Sequence, residues 1–158
     1  MNPETLTPRD QVIEPGQVAP DFTLPDQEKH DWTLSKELEH GPVALCFFPM
    51  AFTGVCGAEM RCVTSEAAKW KSRGVRVVGV SCDSWPVLKA WSNVEGFAHP
   101  LLADMHRRVC RAYGLYWPEL NVAWRGTVIV RRDGKVAWSQ KREIKQAMNL
   151  EEVLAATA

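Results

Sequence analysis

The sequence predicts an α/β fold: a central mixed β-sheet flanked by helices, preceded by an N-terminal β-hairpin. Three observations predict it. Residues 43–48 and 75–81 are nearly continuous apolar runs, as strands buried on both faces require. Between them Cys56, Met60, Val63, Ala67 and Trp70 recur at three- and four-residue steps, the spacing of a helix with one inward face. Strand, helix and strand in that order make a right-handed crossover with parallel strands. Further on, Asp133-Gly134 separates two β-rich runs within residues 126–138, the signature of a hairpin.

The elements follow in order. Residues 1–15 contain proline and acidic side chains but no apolar core segment, so they read as a loose arm and not as a secretory signal. The domain proper is expected over 16–158. Phe22-Thr23-Leu24 and Asp31-Trp32-Thr33-Leu34 flank the polar stretch 25–29, which predicts a hairpin within residues 18–38. A short helix from Ser35 is closed by Gly41-Pro42. The helix carrying the inward stripe spans about 54–72 and stops at Gly74. Asp83 or Ser84 caps a helix over 86–94. Residues 96–103 form a connection with a short extended part, and Asp104 caps a helix over 105–113 that stops at Gly114. A last helix covers 149–155. The order ββαβαβαββα, with additions, is that of the thioredoxin-like fold.

Composition narrows the function. A chain of 158 residues suits one domain with a substantial core. Lys and Arg number 19, as do Asp and Glu, and no basic stripe invites nucleic acid. No apolar run approaches the roughly 20 residues of a membrane span. The five cysteines are irregularly spaced, which predicts reduced thiols in a cytoplasmic setting. There is no C-x-x-C pair, and His99 and His106 lie apart from any cysteine except Cys110. That spacing does not suit structural zinc, so no metal is expected. His99 and His106 read as surface or loop residues, Cys46 and Cys110 as buried packing thiols.

Cys56 stands out because residues 44–56 run from an apolar strand, through a turn, to a thiol in the first turn of a helix. There the helix dipole and unpaired backbone N–H groups favour a thiolate. Thr53, three residues earlier, places a hydroxyl beside the sulfur or a bound polar substrate. Pro49 fixes the loop entry and offers an apolar wall. Arg125 begins the hairpin strand. In open α/β sheets the site lies at the carboxyl ends of the parallel strands. If the strand after Arg125 runs antiparallel, its start reaches that edge, where a guanidinium can hold the thiolate and stabilise an oxygen that gains charge.

The segment Pro49-Met50-Ala51-Phe52-Thr53-Gly54-Val55-Cys56 resembles the peroxiredoxin pattern P-x-x-x-T-x-x-C. The resemblance extends over most of the chain: residues 19–24, 78–81 with Asp83 and Trp91, 100–104, 112–115 and 125–128. Within that family the chain is most similar to the one-cysteine bacterial group of the alkyl hydroperoxide reductase E type. The resemblance implies a thiol-dependent peroxidase that reduces hydrogen peroxide, organic hydroperoxides or peroxynitrite. Cys56 would be the peroxidatic cysteine, oxidised to a sulfenic acid. Thr53, Arg125 and the backbone N–H groups of Val55 and Cys56 would bind the peroxide, Pro49 would shield the sulfur, and Glu59 would hold the arginine. Trp91 would pack at the edge of the site. No cofactor is implied, and the partners are a peroxide and an external thiol or redoxin. A homodimer is also implied, with Trp85, Tyr116 and Trp117 in loops near the site available for association.

Two internal partners for an oxidised Cys56 stay open beside the external thiol. Cys62 lies six residues along the same helix, about 9 Å further by rise and turned away. Cys82 follows the strand 75–81 at the same sheet edge and is the better internal candidate, reached by a modest loop movement. A thioredoxin-like disulfide oxidoreductase is disfavoured because position 59 is Glu, where C-x-x-C needs a second cysteine. The remaining alternative is a non-catalytic redox-sensing or binding module on the same fold.

Overall fold

The computed structural model of the protein describes residues 6–143 and 145–157. Its centre is a five-stranded sheet in the order β5-β4-β3-β8-β9. Strands β3 (Val43–Phe47), β4 (Arg76–Ser81) and β5 (Leu101–Ala103) run parallel. Strand β8 (Arg125–Val130) is antiparallel to β3, and β9 (Val136–Arg142) is antiparallel to β8. The hairpin β1 (Thr23–Pro25) and β2 (Asp31–Thr33) forms a separate small sheet, as does β6 (Tyr116–Trp117) with β7 (Val122–Ala123). The whole is the expected thioredoxin-like arrangement.

Side chains alternate across the sheet because successive Cβ atoms of a strand point to opposite faces. Val43, Leu45, Phe47, Val78, Val80, Val128 and Val130 pack with Phe22, Leu34, Tyr113 and Ala123. This layer sits under the hairpin, helix α1 (Leu34–Glu37) and helix α5 (Arg108–Ala112). Ala44, Cys46, Phe48 and Ile129 face the other way, packing with Cys56, Met60, Val63, Trp70, Leu88 and Trp91. That layer is roofed by α2 (Gly54–Ser65), α3 (Ala67–Ser72), α4 (Trp85–Glu95) and α6 (Leu150–Ala155).

Several expectations are corrected. The helix over 54–72 is two helices, broken at Glu66, whose backbone leaves the helical region. The break turns Ala67 out to solvent while Trp70 stays buried. Asp104 does act on a helix terminus, accepting N–H bonds from Val109 and Cys110 at 3.2 and 2.8 Å, but α5 starts only at Arg108. Residues 116–123 form a small hairpin, and Trp85 opens α4, so Tyr116, Trp117 and Trp85 are not loop residues. The turn between β8 and β9 spans 131–135, wider than two residues, with Gly134 at φ 85°.

The N-terminal arm is not loose where it is described; residues 1–5 lie outside the described residues. Arg9 and Ile13 donate backbone N–H bonds to the carbonyls of Arg111 and Tyr113, and Ile13 is fully buried. Gly114 explains the close fit. A Cβ there would sit 1.9 Å from the Gln11 carbonyl oxygen.

His99 is also corrected. It is buried, its Nδ1 sharing a hydrogen bond with Thr64 Oγ1 at 2.8 Å and its Nε2 lying 3.4 Å from Met60 Sδ. Burial pushes its pKa down to about 4.

Candidate active site

The loop between β3 and α2 is built by anchors on both sides. Phe48 N–H bonds the Val80 carbonyl, continuing the ladder to β4 by one residue. Ala51 N–H bonds Asp83 Oδ2 at 2.9 Å, and the same oxygen accepts the Ser81 hydroxyl at 2.7 Å. Asp83 therefore pins the loop. Ser84 is the residue at the cap position of α4, without a side-chain capping bond. Pro49 is buried at the loop entry. Phe52 sits at φ 61° with its ring exposed, a left-handed conformation that costs a bulky residue energy. This strained turn delivers Thr53 to the start of α2.

Thr53 donates its hydroxyl hydrogen to the Met50 carbonyl at 2.7 Å. The oxygen lone pairs remain as acceptors. Gly54, Val55 and Cys56 occupy the first turn of α2, where backbone N–H groups have no acceptor within the helix. Cys56 is 1% exposed.

Arg125 meets Cys56 through sheet register. Phe47 pairs with Gly126 across the antiparallel β3–β8 ladder, so Arg125 lies one step beyond, beside the loop. Its Nη2 donates to Cys56 Sγ at 3.1 Å and its Nη1 to Glu59 Oε1 at 3.2 Å. Glu59 is one turn along α2 from Cys56, which puts both on the inward face. The other oxygen of Glu59 accepts from Arg142 Nη2 at 3.1 Å and from the Met148 backbone N–H at 2.7 Å. Arg125, Glu59 and Arg142 are all buried. Arg142 Nη1 also donates to Thr127 Oγ1 at 3.1 Å. Among these groups two guanidiniums face one carboxylate, leaving a buried positive charge beside the sulfur.

Sequence reasoning named Cys56, Thr53, Pro49, Arg125 and Glu59; the structure sets Arg125 against both Cys56 and Glu59, with Thr53 at the start of α2 and Pro49 at the loop entry. It missed Arg142 and the Met148 N–H. The signal for Arg142 was present: the β8–β9 register, carried past Trp138, pairs Arg125 with Arg142. Trp91 is fully buried beneath the loop, its ring 5.4 Å from Phe48, 6.2 Å from Phe52 and 4.8 Å from Phe97.

The other cysteines are elsewhere. Cys46 is fully buried in β3, and burial pushes its thiol up to about 12. Cys62 is half-buried on α2, with its thiol also raised by burial. Cys82 corrects the expectation of an easy approach to Cys56. It belongs to the hairpin-side layer, 3.7 Å from Cys110 Sγ, whereas Cys56 belongs to the layer across the sheet. The strand alternation decides this, and a modest loop movement does not reverse it.

Residues 15–139 match the model of the AhpC/TSA family. The chain is 33% identical over 134 residues to alkyl hydroperoxide reductase E of Mycobacterium tuberculosis, covering 84% of this chain and 88% of that protein. It is 30% identical over 148 residues to alkyl hydroperoxide reductase C of Buchnera aphidicola, covering 86% and 74% respectively. Among solved structures it is similar to peroxidoxin BcpB from Mycobacterium tuberculosis, with a TM-score of 0.85 and 27% identity over 92% of this chain and 96% of the other.

Proposed function

This chain belongs to the AhpC/TSA family and is a thiol-dependent peroxidase, and we propose that Cys56 is the thiol that reacts. The observation that carries this assignment is the guanidinium of Arg125 held 3.1 Å from Cys56 Sγ by Glu59. The reaction follows from the groups around it. The Cys56 thiolate attacks the distal oxygen of ROOH in line with the O–O bond. An S–O bond forms, the O–O bond breaks, and the departing RO⁻ takes from solvent the proton that the thiol gave up on ionising, leaving as ROH. Charge that grows on the leaving oxygen meets Arg125 and the first-turn N–H groups of α2, each donor worth about 3 kcal/mol in comparable sites. Thr53, its own hydrogen spent on Met50, accepts the O–H of the incoming peroxide. Pro49 and the aromatic rings around Trp91 limit water at the sulfur.

Organic hydroperoxides are the substrates we favour, since the exposed Met50 and Phe52 put apolar surface beside the sulfur and two relatives carry the alkyl hydroperoxide name. The cycle closes when two external thiols reduce the sulfenic acid, releasing a disulfide and water. The separation of Cys56 from Cys82 and the helical position of Cys62 support an external reductant. The cytoplasm suits five free cysteines. A homodimer is supported by the exposed Met50, Phe52 and Val87 around the loop and α4.

The deciding experiment is single-turnover peroxide consumption with mass spectrometry of a trapped sulfenic acid. Wild type is expected to carry the trap on Cys56, and Cys56→Ser to lose fast consumption altogether. Full activity in Cys56→Ser would remove the assignment. Sedimentation at micromolar concentration tests the dimer, which a purely monomeric boundary would exclude.

A further inference from the structure

Across the sheet from Cys56, three ligand-bearing side chains converge from three elements. Cys82 follows the end of β4, Asp104 follows the end of β5, and Cys110 lies in α5. Their sulfur and carboxylate ligand atoms all lie within 4.8 Å of one another, and all three residues are buried. The sulfurs are 3.7 Å apart. Zinc–sulfur bonds of about 2.3 Å meeting at the tetrahedral angle hold two sulfurs about 3.8 Å apart, so the pair already has the bite of a zinc site. We propose that Cys82, Asp104 and Cys110 form a binding site for a thiophilic divalent cation of the zinc type.

The surroundings supply what such a site needs. Each carboxylate oxygen of Asp104 accepts one backbone N–H, from Val109 at 3.2 Å and Cys110 at 2.8 Å. These bonds aim the carboxylate and leave each oxygen a lone pair for a metal, which is how ligating carboxylates are commonly oriented. A cavity of about 210 Å³ opens on Asp104, lined by Phe22, Leu24, Trp85 and Met105. It reaches the cluster from the Asp104 side, and a zinc site with three protein ligands takes water as its fourth. Binding releases the two thiol protons to solvent, so that two thiolates and one carboxylate surround the cation. Arg107, next to the cluster in the chain, offsets the remaining negative charge. The site was invisible to spacing rules because its ligands lie 22 and 6 residues apart on separate elements.

The test uses the full chain with Cys56→Ser and Cys62→Ser as parent, so that neither the peroxide-reactive thiol nor the half-buried Cys62 competes. Zn²⁺ is titrated by calorimetry and Co²⁺ by absorption. The expected result is one equivalent bound at micromolar or tighter affinity, with the sulfur-to-cobalt charge-transfer band of two thiolates. Adding Cys82→Ser should weaken binding at least 100-fold and abolish the band. Asp104→Asn, which retains one of the two acceptors for the helix N–H groups, should weaken it at least tenfold and covers the case in which the serine variant fails to fold. Cys82→Ser in the otherwise wild-type chain should keep peroxidase activity, because the site lies across the sheet from Cys56. No binding by the parent, binding unchanged in both variants, or a native Cys82–Cys110 disulfide found by peptide mapping would each overturn the proposal.

Discussion

Replacing Arg125 by lysine keeps the positive charge and removes the fork. In the native site one guanidinium nitrogen lies 3.1 Å from Cys56 Sγ while another lies 3.2 Å from Glu59 Oε1. A lysine offers one nitrogen on a flexible stem, and the Glu59 carboxylate competes with the sulfur for it. The variant therefore loses about one charge-assisted hydrogen bond at the reacting centre. Such a bond is worth about 1.5–3 kcal/mol, which corresponds to a rate loss of about 10- to 150-fold. The assay is the second-order rate constant with peroxide, measured by rapid mixing under single-turnover conditions. Circular dichroism confirms that the fold is kept. A rate constant within twofold of wild type would show that charge alone suffices, and the argument from the planar fork would fail.

Glu59→Gln leaves two buried guanidiniums without a counter-charge. It should destabilise the protein by about 3 kcal/mol, lowering Tm by about 10 °C in a thermal melt. His99, with its pKa lowered to about 4, binds its proton less readily folded than unfolded. Its contribution, about 3 kcal/mol, is present above pH 6.5 and is lost as pH falls from 6.5 towards 4, where the loss levels off. Urea melts across that range should show the fall, and His99→Asn should flatten it. Peptide mapping after one equivalent of peroxide without added thiol should find a sulfenic acid on Cys56; a dominant Cys56–Cys82 or Cys56–Cys62 crosslink would refute the external-thiol cycle.

Local chemistry wrote much of this molecule into the sequence. The apolar runs became β3 and β4 because only a doubly covered strand tolerates residues like Val43, Leu45 and Phe47 beside Ala44 and Cys46. The strand-to-helix turn and the Pro49, Thr53, Cys56 spacing are contiguous, so the thiol's setting was readable without any long-range contact. Glu59 followed from the resemblance to the peroxiredoxin pattern. What the chain alone did not disclose depends on register and on which face a residue takes. Arg142 reaches Glu59 only because β9 continues past Trp138 and pairs with Arg125. His99 is buried because Thr64 and Met60, more than 30 residues earlier, meet its ring. Cys82 shares a sheet edge with Cys56, as its position in the chain implied, yet strand alternation sends it to the opposite layer. Sequence sets the period of each element; only the packed sheet decides which side chains from distant elements come within bonding distance.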